Sequence, residues 1–313
     1  MMTDALQQLA GPFSRRFFFN ALLPTFVFTT FVVSTVAASW WSIRTMSVWW
    51  GQLDLLTRLL LLLAYFALVY FLAAAVSSQW RNIVRLFEGY PLTTFAKRLK
   101  RNPLGKRWHQ ERMDQLQSED EDQGSESQAY YRYPSEDHAA DVLPTQLGNI
   151  LLAGECYAED RYGIDTIYFW PRLYPLLPEV FQRDYEASVI QYQFPLVVAF
   201  QSAVATTICS VVLLITHAPA MVFAAILLGG ASVSYGAYNL SLSSAIEMAE
   251  QQRAAFDLYR NRLLTAWPSV ADVKDEKAAF AKIKGFVVFN APPGWEQPHE
   301  YYVKRHRETQ GPT

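Results

Sequence analysis

The segment LLLLLAYFALVYFLAAAV, residues 59–76, has eighteen residues and contains neither a charged side chain nor a proline. As a helix it would extend about 27 Å, which is close to the hydrocarbon thickness of a bilayer. Trp49 and Trp50 precede the segment and Trp80 follows it, which is typical of the aromatic belts at the two membrane interfaces. The segment therefore predicts a transmembrane helix.

The basic residues that follow this helix predict its orientation. Residues 81–112 contain nine Lys or Arg and only two acidic residues, whereas the opposite connections carry few basic residues. Cytoplasmic loops of membrane proteins are enriched in Lys and Arg, so we expect residues 81–112 on the cytoplasmic side. Arg58 lies at the other end of the helix, where its side chain can reach the interface.

Two further regions without Asp, Glu, Lys or Arg, residues 17–43 and 187–246, predict three more spans. The second region would be about 90 Å long as a helix, which is too long for one crossing. Residues 216–219, Thr-His-Ala-Pro, form a natural turn within it. We predict two hairpins with both termini in the cytoplasm, and the four spans lie at about 21–41, 59–76, 194–216 and 220–240.

The sequence SRRFF at residues 14–18 matches the core of a twin-arginine export signal. The apolar segment after it is longer than the usual apolar region of a signal peptide, and it ends in a Trp pair. We therefore favour an uncleaved first span, with the Arg pair in the cytoplasm, over a signal that is removed.

The predicted fold class is an all-α membrane protein with four transmembrane helices in two hairpins and a mostly helical cytoplasmic domain. The segment boundaries follow from the charged and apolar runs. The segments are a cytoplasmic N-terminus (1–20), a first transmembrane hairpin (21–80), basic interfacial helices (81–117), an acidic linker (118–128), a first part of the cytoplasmic domain (129–193), a second transmembrane hairpin (194–242), a second part of the domain (243–295) and a mobile tail (296–313).

Residues 80–101 predict two amphipathic helices on the membrane surface. Apolar side chains recur at positions 80, 83, 84 and 87, and Gly89-Tyr90-Pro91 ends the first helix. We predict contact with an anionic inner leaflet through apolar burial and through attraction between basic side chains and lipid. A specific nucleic-acid site is the alternative, which the position beside a span disfavours. The predicted lipid-interface residues are Trp80, Arg81, Arg85, Phe87, Lys97, Arg98, Lys100 and Arg101.

Capping residues predict helices in the cytoplasmic domain. Thr145 can begin a helix that Gly163 ends, because hydroxyl groups cap helix starts and glycine suits helix ends. Asp165 can begin a short helix that is broken at Pro171. Pro178 is predicted to start a helix that runs towards the membrane.

Two other segments carry weaker signals. Residues 119–126 contain five acidic residues together with Gly and Ser, a composition that favours a mobile linker. Gly285 is predicted to end a helix, and the apolar residues 286–289 after it are a candidate strand.

Small residues recur at every fourth position in the third and fourth predicted spans. This spacing lets helices approach closely in lipid. We expect these residues to pack helices together and to support self-association rather than to line a solute path. They are Ser202, Thr206 and Ser210, then Gly230 with Ser234, and Ser232 with Gly236.

The densest polar cluster lies in the predicted cytoplasmic domain. Glu155 and Glu159 share a helix face at i and i+4, a spacing that suits paired-carboxylate chemistry. A structural network of salt bridges is the alternative to a site. The catalytic candidates are Glu155, Glu159 and Asp160, and the ligand-binding candidates are Arg161, Asp165 and Arg172.

The sequence lacks the signatures of several common activities. It contains no P-loop, no dinucleotide-binding glycine motif, no HExxH and no GxSxG motif. The two cysteines, Cys156 and Cys209, are predicted to be free thiols, and no zinc-binding spacing occurs. His138 and its acidic neighbours could offer metal ligands, but a solvated turn is favoured. We predict neither a cofactor nor a metal.

Several short motifs resemble a pattern in bacterial polytopic inner-membrane proteins to which no activity is attached. They are LPT at 143–145, LGN at 147–149, RYG at 161–163, Asp165, and WPRL at 170–173. The resemblance covers these residues and the hairpins around them. It implies a location in the bacterial inner membrane, and it implies no particular activity.

These features together predict an oligomeric inner-membrane protein. Its cytoplasmic domain would bind or sense a cytoplasmic protein or a small molecule, and would act on the membrane part as a gated pore or a scaffold. The alternatives are a membrane-anchored enzyme that uses the acidic cluster and a small transporter, which the low number of spans disfavours.

Overall fold

The computed structural model describes residues 15–123, 128–267, 270 and 273–290. Every regular element in these ranges is helical, as the predicted all-α class requires. Four of these helices are long and apolar enough to cross a membrane. The predicted N-terminus up to residue 14, residues 124–127 of the predicted linker and the predicted tail lie outside the described residues.

The internal contacts divide the chain into two compact units. Unit 1 comprises Met1–Phe87 and Val189–Ser244, and unit 2 comprises Glu88–Ser188 and Ala245–Thr313. The boundaries after residues 188 and 244 lie a few residues from the predicted boundaries after 193 and 242. The segment predicted as basic interfacial helices is divided between the two units.

Unit 1 contains the first two candidate spans. The first begins with a π-helical segment, Phe18–Leu22, and continues as α1, Leu23–Trp40. The chain between the first two spans forms helix α2, Ile43–Gln52. The second span is α3, Leu55–Ser78, and it is followed by α4, Trp80–Phe87.

The apolar side chains of α3 face outwards from unit 1. Leu63 is 66% exposed and Phe71 is 70% exposed, and only 11% of the most apolar part of the helix is buried. An exposed apolar surface of this extent is unfavourable in water and favourable in lipid. The surface of α3 therefore indicates a membrane protein.

Side-chain contacts within unit 1 join α1 to its neighbours. Phe26 of α1 stacks on Phe66 of α3, with the ring centroids 6.3 Å apart. The hydroxyl groups of Thr30 and Tyr65 form a hydrogen bond of 2.6 Å between the same two helices. These contacts fix the position of α1 against α3.

The third and fourth candidate spans belong to two long helices, α10, Glu179–Ile215, and α11, Ala220–Thr265. His217 adopts a positive φ of 52° between them, so the predicted turn at residues 216–219 is confirmed. Each helix contributes its apolar part to unit 1 and its charged part to unit 2.

Small residues lie where α10 and α11 pack against each other in unit 1. Ser202 Oγ donates to the carbonyl oxygen of Gly230 at 3.0 Å, and Ser234 Oγ donates to that of Ala199 at 2.9 Å. A Cβ atom on Gly230 would lie 1.8 Å from Thr206 Oγ1. The two backbones therefore approach as closely as the small side chains allow.

The other predicted small residues are placed differently. Ser210 is buried, and its hydroxyl has no hydrogen-bond partner among the described residues. Ser232 and Gly236 are exposed on α11, and the space beside Gly236 is open. These two residues make no contribution to the packing of α10 against α11.

Unit 2 contains shorter helices in addition to the charged parts of α10 and α11. They are α5, Tyr90–Arg98; α6, Lys106–Gln123; α7, Gln128–Arg132; α8, Gln146–Tyr162; α9, Thr166–Leu173; and α12, Glu276–Phe289. Glu136–Asp141 and Tyr174–Leu176 are 3₁₀ segments. The main core is formed by α8, α9, α11 and α12, and its fully buried members include Phe169, Phe256 and Phe280.

Local capping signals correctly predict several helix ends in unit 2. Gly89 has a φ of +86° before α5, at the predicted break. Thr145 Oγ1 accepts a hydrogen bond from the Gly148 amide at 3.2 Å and begins α8, and Gly163 ends that helix with a φ of +68°. Asp165 caps α9 as predicted.

Two predictions about irregular backbone are wrong. Helix α6 continues to Gln123, so residues 119–123 are helical rather than linker, because Glu and Gln are good helix formers. Helix α9 passes through Pro171 and ends at Leu173. Leu173 is fully buried, and its burial offsets the one backbone hydrogen bond that proline cannot make.

The predicted strand at residues 286–289 is also wrong. These residues are the last turn of α12, and Gly285 lies inside the helix instead of ending it. Ile283 is 1% exposed, and Val287, one turn later, packs against the same core. The helical spacing keeps both side chains on the core, and Asn290 ends the helix with a φ of 52°.

The LPT and LGN motifs hold the start of α8 in place. Asn149 is fully buried, accepts a hydrogen bond from the Leu143 amide at 2.6 Å and donates one to the Leu143 carbonyl at 3.0 Å. A Cβ atom on Gly148 would lie 2.6 Å from the carbonyl oxygen of Glu88. Local folding therefore explains this part of the pattern without a ligand.

Adjacent glycines in α11 provide a test of the close helix contact. Gly230→Ala is expected to lower the free energy of unfolding by about 1–3 kcal/mol, because the new methyl group overlaps Thr206. Gly229→Ala is the matched control, because the space beside Gly229 is open. The thermal unfolding midpoint of the purified protein in detergent measures both effects, and equal midpoints for the two variants would contradict the contact.

Candidate functional site

Three of the predicted acidic site residues form ion pairs in unit 2. Lys284 Nζ of α12 lies 2.8 Å from Asp165 Oδ2 and 3.7 Å from Glu159 Oε1. Burial opposes the charge of Lys284, but its interactions with the two carboxylates outweigh burial and raise its pKa. Asp160 Oδ1 lies 3.1 Å from His138 Nε2. These contacts join α8 to its neighbours, as a structural network would.

The remaining predicted site residues have separate partners. Glu155 is an exposed residue, yet the protein atoms around its carboxyl group, together with the charge of Asp165, raise its pKa. The Arg161 guanidinium lies 5.8 Å from the centre of the Tyr157 ring. Arg172 is exposed and donates to a carbonyl one turn earlier in its own helix. Glu159 and Asp165 therefore meet at Lys284, and Glu155 lies near enough to feel the charge of Asp165, whereas Asp160, Arg161 and Arg172 contact other groups.

A cavity of about 260 Å³ lies in unit 2, and Asp160 is part of its wall. We name it the Arg253 cavity. Three tyrosine rings and several polar groups form its wall. The side chains concerned are Gln117, Tyr130, Tyr133, Ser135, Tyr157, Asp160 and Arg253.

Arg253 carries a buried positive charge into this cavity and is only 3% exposed. Its Nη1 atom lies 2.6 Å from Glu250 Oε1, and its Nη2 atom donates to the Tyr130 carbonyl at 2.9 Å. The guanidinium lies 4.2 Å from the Tyr130 ring centre and 5.4 Å from that of Tyr157. The Nε atom is buried and has no hydrogen-bond partner among the described residues.

The Tyr157 wall of the cavity is held by a shared carboxylate. Tyr157 OH donates to the Asp257 carboxylate at 2.9 Å, and Tyr162 OH donates to it at 2.7 Å. Burial and the charge of Asp257 raise the pKa of Tyr157, so its hydroxyl remains a donor at neutral pH. Arg260 lies over the Tyr162 ring at 4.1 Å and pairs with Glu276. This side of the cavity is therefore preformed.

The Tyr133 wall is held by a buried histidine. His109 Nδ1 and Tyr133 OH lie 2.9 Å apart, and both residues are at most 5% exposed. Burial lowers the pKa of His109, so the imidazole is neutral at pH 7. The position of Tyr133 is therefore fixed by an uncharged hydrogen bond.

Neither cysteine is among the residues that line the Arg253 cavity. Cys156 and Cys209 are both free and buried. Burial and nearby carboxylates raise the pKa of the Cys156 thiol to about 12, which leaves it protonated and unreactive. Within the described ranges, no group of three or more His, Cys, Asp or Glu side chains could hold a metal ion.

The predicted lipid-interface residues of α4 lie on a helix that is partly covered by protein. Phe87 stacks on Tyr238 with ring centroids 5.8 Å apart, and Trp80 is half-buried. Ile83 and Val84, on the same predicted apolar face, are buried within unit 1. The basic residues Arg81 and Arg85 remain exposed.

The basic residues of the second predicted interfacial helix are exposed together with apolar ones. Phe95 is 63% exposed and Leu99 is 54% exposed. The neighbouring basic residues Lys97, Arg98, Lys100 and Arg101 are all exposed as well. An exposed surface of this mixed character suits a bilayer with anionic lipid.

Arg253 is a residue of the candidate site that the sequence analysis did not identify. Arg253 was one of several basic residues after the fourth span, where the charge rule alone accounts for it. Its acidic neighbours Glu250 and Asp257 lie one turn away on either side, which is the available sequence signal. Helical spacing of opposite charges is common on exposed helices, so this signal does not identify a buried site.

Comparisons of this chain with protein-family models, with curated proteins and with solved structures found no match.

The pair between His138 and Asp160 makes stability depend on pH. Burial opposes protonation of His138, but its interactions with Asp141 and Asp160 outweigh burial and raise its pKa above 6.5. The folded state then binds the proton more tightly than the unfolded state does. The stabilising effect of protonated His138 is present in full below the pKa that this histidine has in the unfolded state. It is lost as the pH rises through the pKa of His138 in the folded state.

We therefore expect His138→Gln to destabilise the protein more at about pH 5.5 than at about pH 8.5. The measurement is the difference in unfolding midpoint between wild type and variant at each pH. This difference removes the opposite contribution of His109, which is common to both proteins. An equal loss at both pH values would contradict the role of the ion pair.

Proposed function

We propose that this chain is an oligomeric, multi-pass protein of a bacterial inner membrane that responds to a small anionic ligand. In this proposal the four apolar helices form two hairpins, and both termini and unit 2 are cytoplasmic. The ligand binds in the Arg253 cavity and acts on the membrane part, which serves as a gated pore or as a scaffold.

The observation that carries the proposal is the unpartnered Nε atom of Arg253, a buried residue that lines a preformed cavity. An unsatisfied buried donor is costly, and the cost is larger for a charged group. A ligand oxygen at Nε would remove this cost. Natural proteins leave few such groups without a purpose or a partner.

The walls of the cavity indicate the kind of ligand. Its volume of about 260 Å³ fits a small metabolite rather than a protein segment. The rings of Tyr130 and Tyr157 offer faces to a flat or apolar body, and Arg253 offers a donor to a carboxylate or phosphate oxygen. We therefore infer a small molecule that joins an anionic group to an apolar part.

The continuity of α11 supports an effect of the ligand on the membrane part. The helix carries Arg253 and also the fourth candidate span without interruption. Tyr157, on the facing α8, and Asp257, on α11, are joined by hydrogen bonds next to the cavity. A ligand that favours one position of α11 against α8 would bias the whole helix, because an uninterrupted helix moves as a stiff element.

Two exposed surfaces support the membrane setting and the oligomer. The exposed Phe95 and Leu99, with the basic residues around them, suit contact with an anionic inner leaflet. On α11, the exposed Ser232 and Gly236 lie at a spacing that lets a helix of a second copy approach closely. By the positive-inside rule, we expect the basic residues around Phe95 and Leu99 to lie on the cytoplasmic side.

A screen of small carboxylates and phosphates tests the ligand site directly. We expect some compounds to raise the unfolding midpoint of the purified wild-type protein in detergent, as ligands of the folded state do. Arg253→Gln should abolish this rise, because it removes both the charge and the Nε donor. Arg262→Gln is the matched control, because Arg262 lies on the same helix, is exposed and is not among the residues that line the cavity.

The proposal fails if the compounds act equally on wild type and Arg253→Gln, or if none of them acts on the wild type. Gel filtration of each variant confirms that the fold is intact before the screen. A buried Gln keeps hydrogen-bonding groups near Glu250, so the variant should remain folded at reduced stability.

Conductance in planar bilayers distinguishes a pore from a scaffold. If the protein is a gated pore, a compound that binds in the screen should change the open probability of the wild-type channel and leave Arg253→Gln unchanged. Absence of any conductance would leave the scaffold role. A strict monomer in nanodiscs, measured by light scattering, would rule out the oligomer and the pore together.

A membrane-anchored enzyme is the second candidate. The observation in its favour is the raised pKa of Glu155, because a carboxyl group that holds its proton more tightly than usual suits a proton donor. Glu159 and Asp160, the other two catalytic candidates, are paired with Lys284 and His138. A small transporter is disfavoured by the low number of candidate spans.

A further inference from the structure

Unit 1 contains a second cavity, of about 200 Å³, where the first three candidate spans and α4 meet. We name it the Arg16 cavity. Its polar wall contains Arg16, Asn20 and Gln193, and its apolar wall includes Ile83, Val84 and Leu196. None of these residues was singled out as a site by the sequence, and none belongs to unit 2.

The two amide side chains of this cavity are buried and lack partners. Asn20 is 7% exposed, and neither its Oδ1 nor its Nδ2 atom has a hydrogen-bond partner among the described residues. Gln193 is 4% exposed, and its Nε2 atom is equally without a partner there. Three unsatisfied amide atoms in one apolar setting are costly to keep, so they point to a missing ligand.

Arg16 provides a positive charge at the same cavity. Its Nη2 and Nε atoms donate to Gln193 Oε1 at 2.8 Å and 3.2 Å. The guanidinium lies 5.0 Å from the centre of the Trp80 ring. Among the described residues, no carboxylate lies within salt-bridge distance of Arg16, so its charge is not neutralised there.

Asn20, which lines this cavity, lies in an unusual backbone conformation. Asn20 lies in the π-helical segment Phe18–Leu22 at the start of the first span. π-Helical segments are rare and frequently occur at functional sites. One residue more or less in a helix turns a side chain by about 100°, so the π-helical register determines which way Asn20 faces.

The polar and apolar side chains that line the cavity indicate which kind of ligand fits it. A guanidinium and two amide NH₂ groups are donors that suit a phosphate oxygen, and the apolar wall suits an acyl chain. Trp80 marks the depth of the membrane interface, where lipid phosphate groups lie. A freely soluble anion would gain nothing from Ile83, Val84 and Leu196.

We propose that the Arg16 cavity binds the phosphate group of an anionic membrane phospholipid. Arg16, Asn20 and Gln193 Nε2 hold the phosphate, and the apolar residues contact the adjoining glycerol and acyl carbons. Because all these residues lie in unit 1, the proposal does not depend on ligand binding at the Arg253 cavity.

Native mass spectrometry of the purified, detergent-solubilised protein tests this site. Phosphatidylglycerol is added to the wild type, and a diacylglycerol with the same chains is added in parallel as a ligand without phosphate. We expect a defined adduct with the first lipid only. Asn20→Leu and Gln193→Leu should each weaken this adduct by about tenfold or more, because each removes a hydrogen bond to a charged group.

Gln201→Leu is the matched control for Gln193→Leu. Gln201 lies on the same helix and is 8% exposed, but it does not line the cavity and donates instead to Thr25 Oγ1 at 2.7 Å. This variant should keep the wild-type lipid adduct. Asn20→Leu should leave the unfolding midpoint of lipid-free protein unchanged or higher, because the removed amide atoms have no partners to lose.

Arg16→Gln is a further test of lipid binding, in case Asn20→Leu or Gln193→Leu does not fold. Arg16 is exposed, so its replacement should leave the fold intact and still weaken the adduct. Equal binding of phosphatidylglycerol and diacylglycerol, or wild-type binding by folded Arg16→Gln, would overturn the proposal. Binding of inorganic phosphate with the same dependence on Arg16 and Asn20 would assign the site to a free anion and would overturn the lipid.

Discussion

In lipid, a backbone polar group finds no water to bond with, and this constraint shapes unit 1. Each candidate span is an uninterrupted helix in its apolar part, since a helix satisfies its own backbone. The hydrophobic effect gives no attraction between helices in that solvent. Unit 1 therefore relies on close backbone approach at Gly230 and on hydroxyl bonds from Ser202 and Ser234, where a soluble protein would bury leucines.

A buried polar atom without a hydrogen-bond partner is costly in either unit, because the interior of a protein, like lipid, offers little water. Seven buried side-chain atoms lack a hydrogen-bond partner among the described residues, and four of them belong to Asn20, Gln193 and Arg253, which line the two cavities. Asn149 and Asp257, by contrast, are held by two hydrogen bonds or more within the chain. More than half of the unsatisfied atoms thus belong to residues that line a cavity, whereas Asn149 and Asp257 are satisfied within the chain.

Local signals in the sequence predict the helices well because hydropathy and caps act over a few residues. The turn at residues 216–219 and the caps at Thr145 and Asp165 are of this kind. The strand expected at residues 286–289 failed because contacts with distant residues keep α12 helical. Arg253 and Asn20 could not be identified for a related reason, since burial depends on which helices meet around a side chain.

Each of the two proposed sites includes a residue of one long helix. Gln193 lies on α10 and Arg253 lies on α11. A ligand changes the equilibrium between two arrangements of such helices only as far as it binds one arrangement more tightly than the other. The Nη atoms of Arg253 and the Oε1 atom of Gln193 already have partners within the chain. The remaining unpartnered atoms are therefore the ones that a ligand can still satisfy.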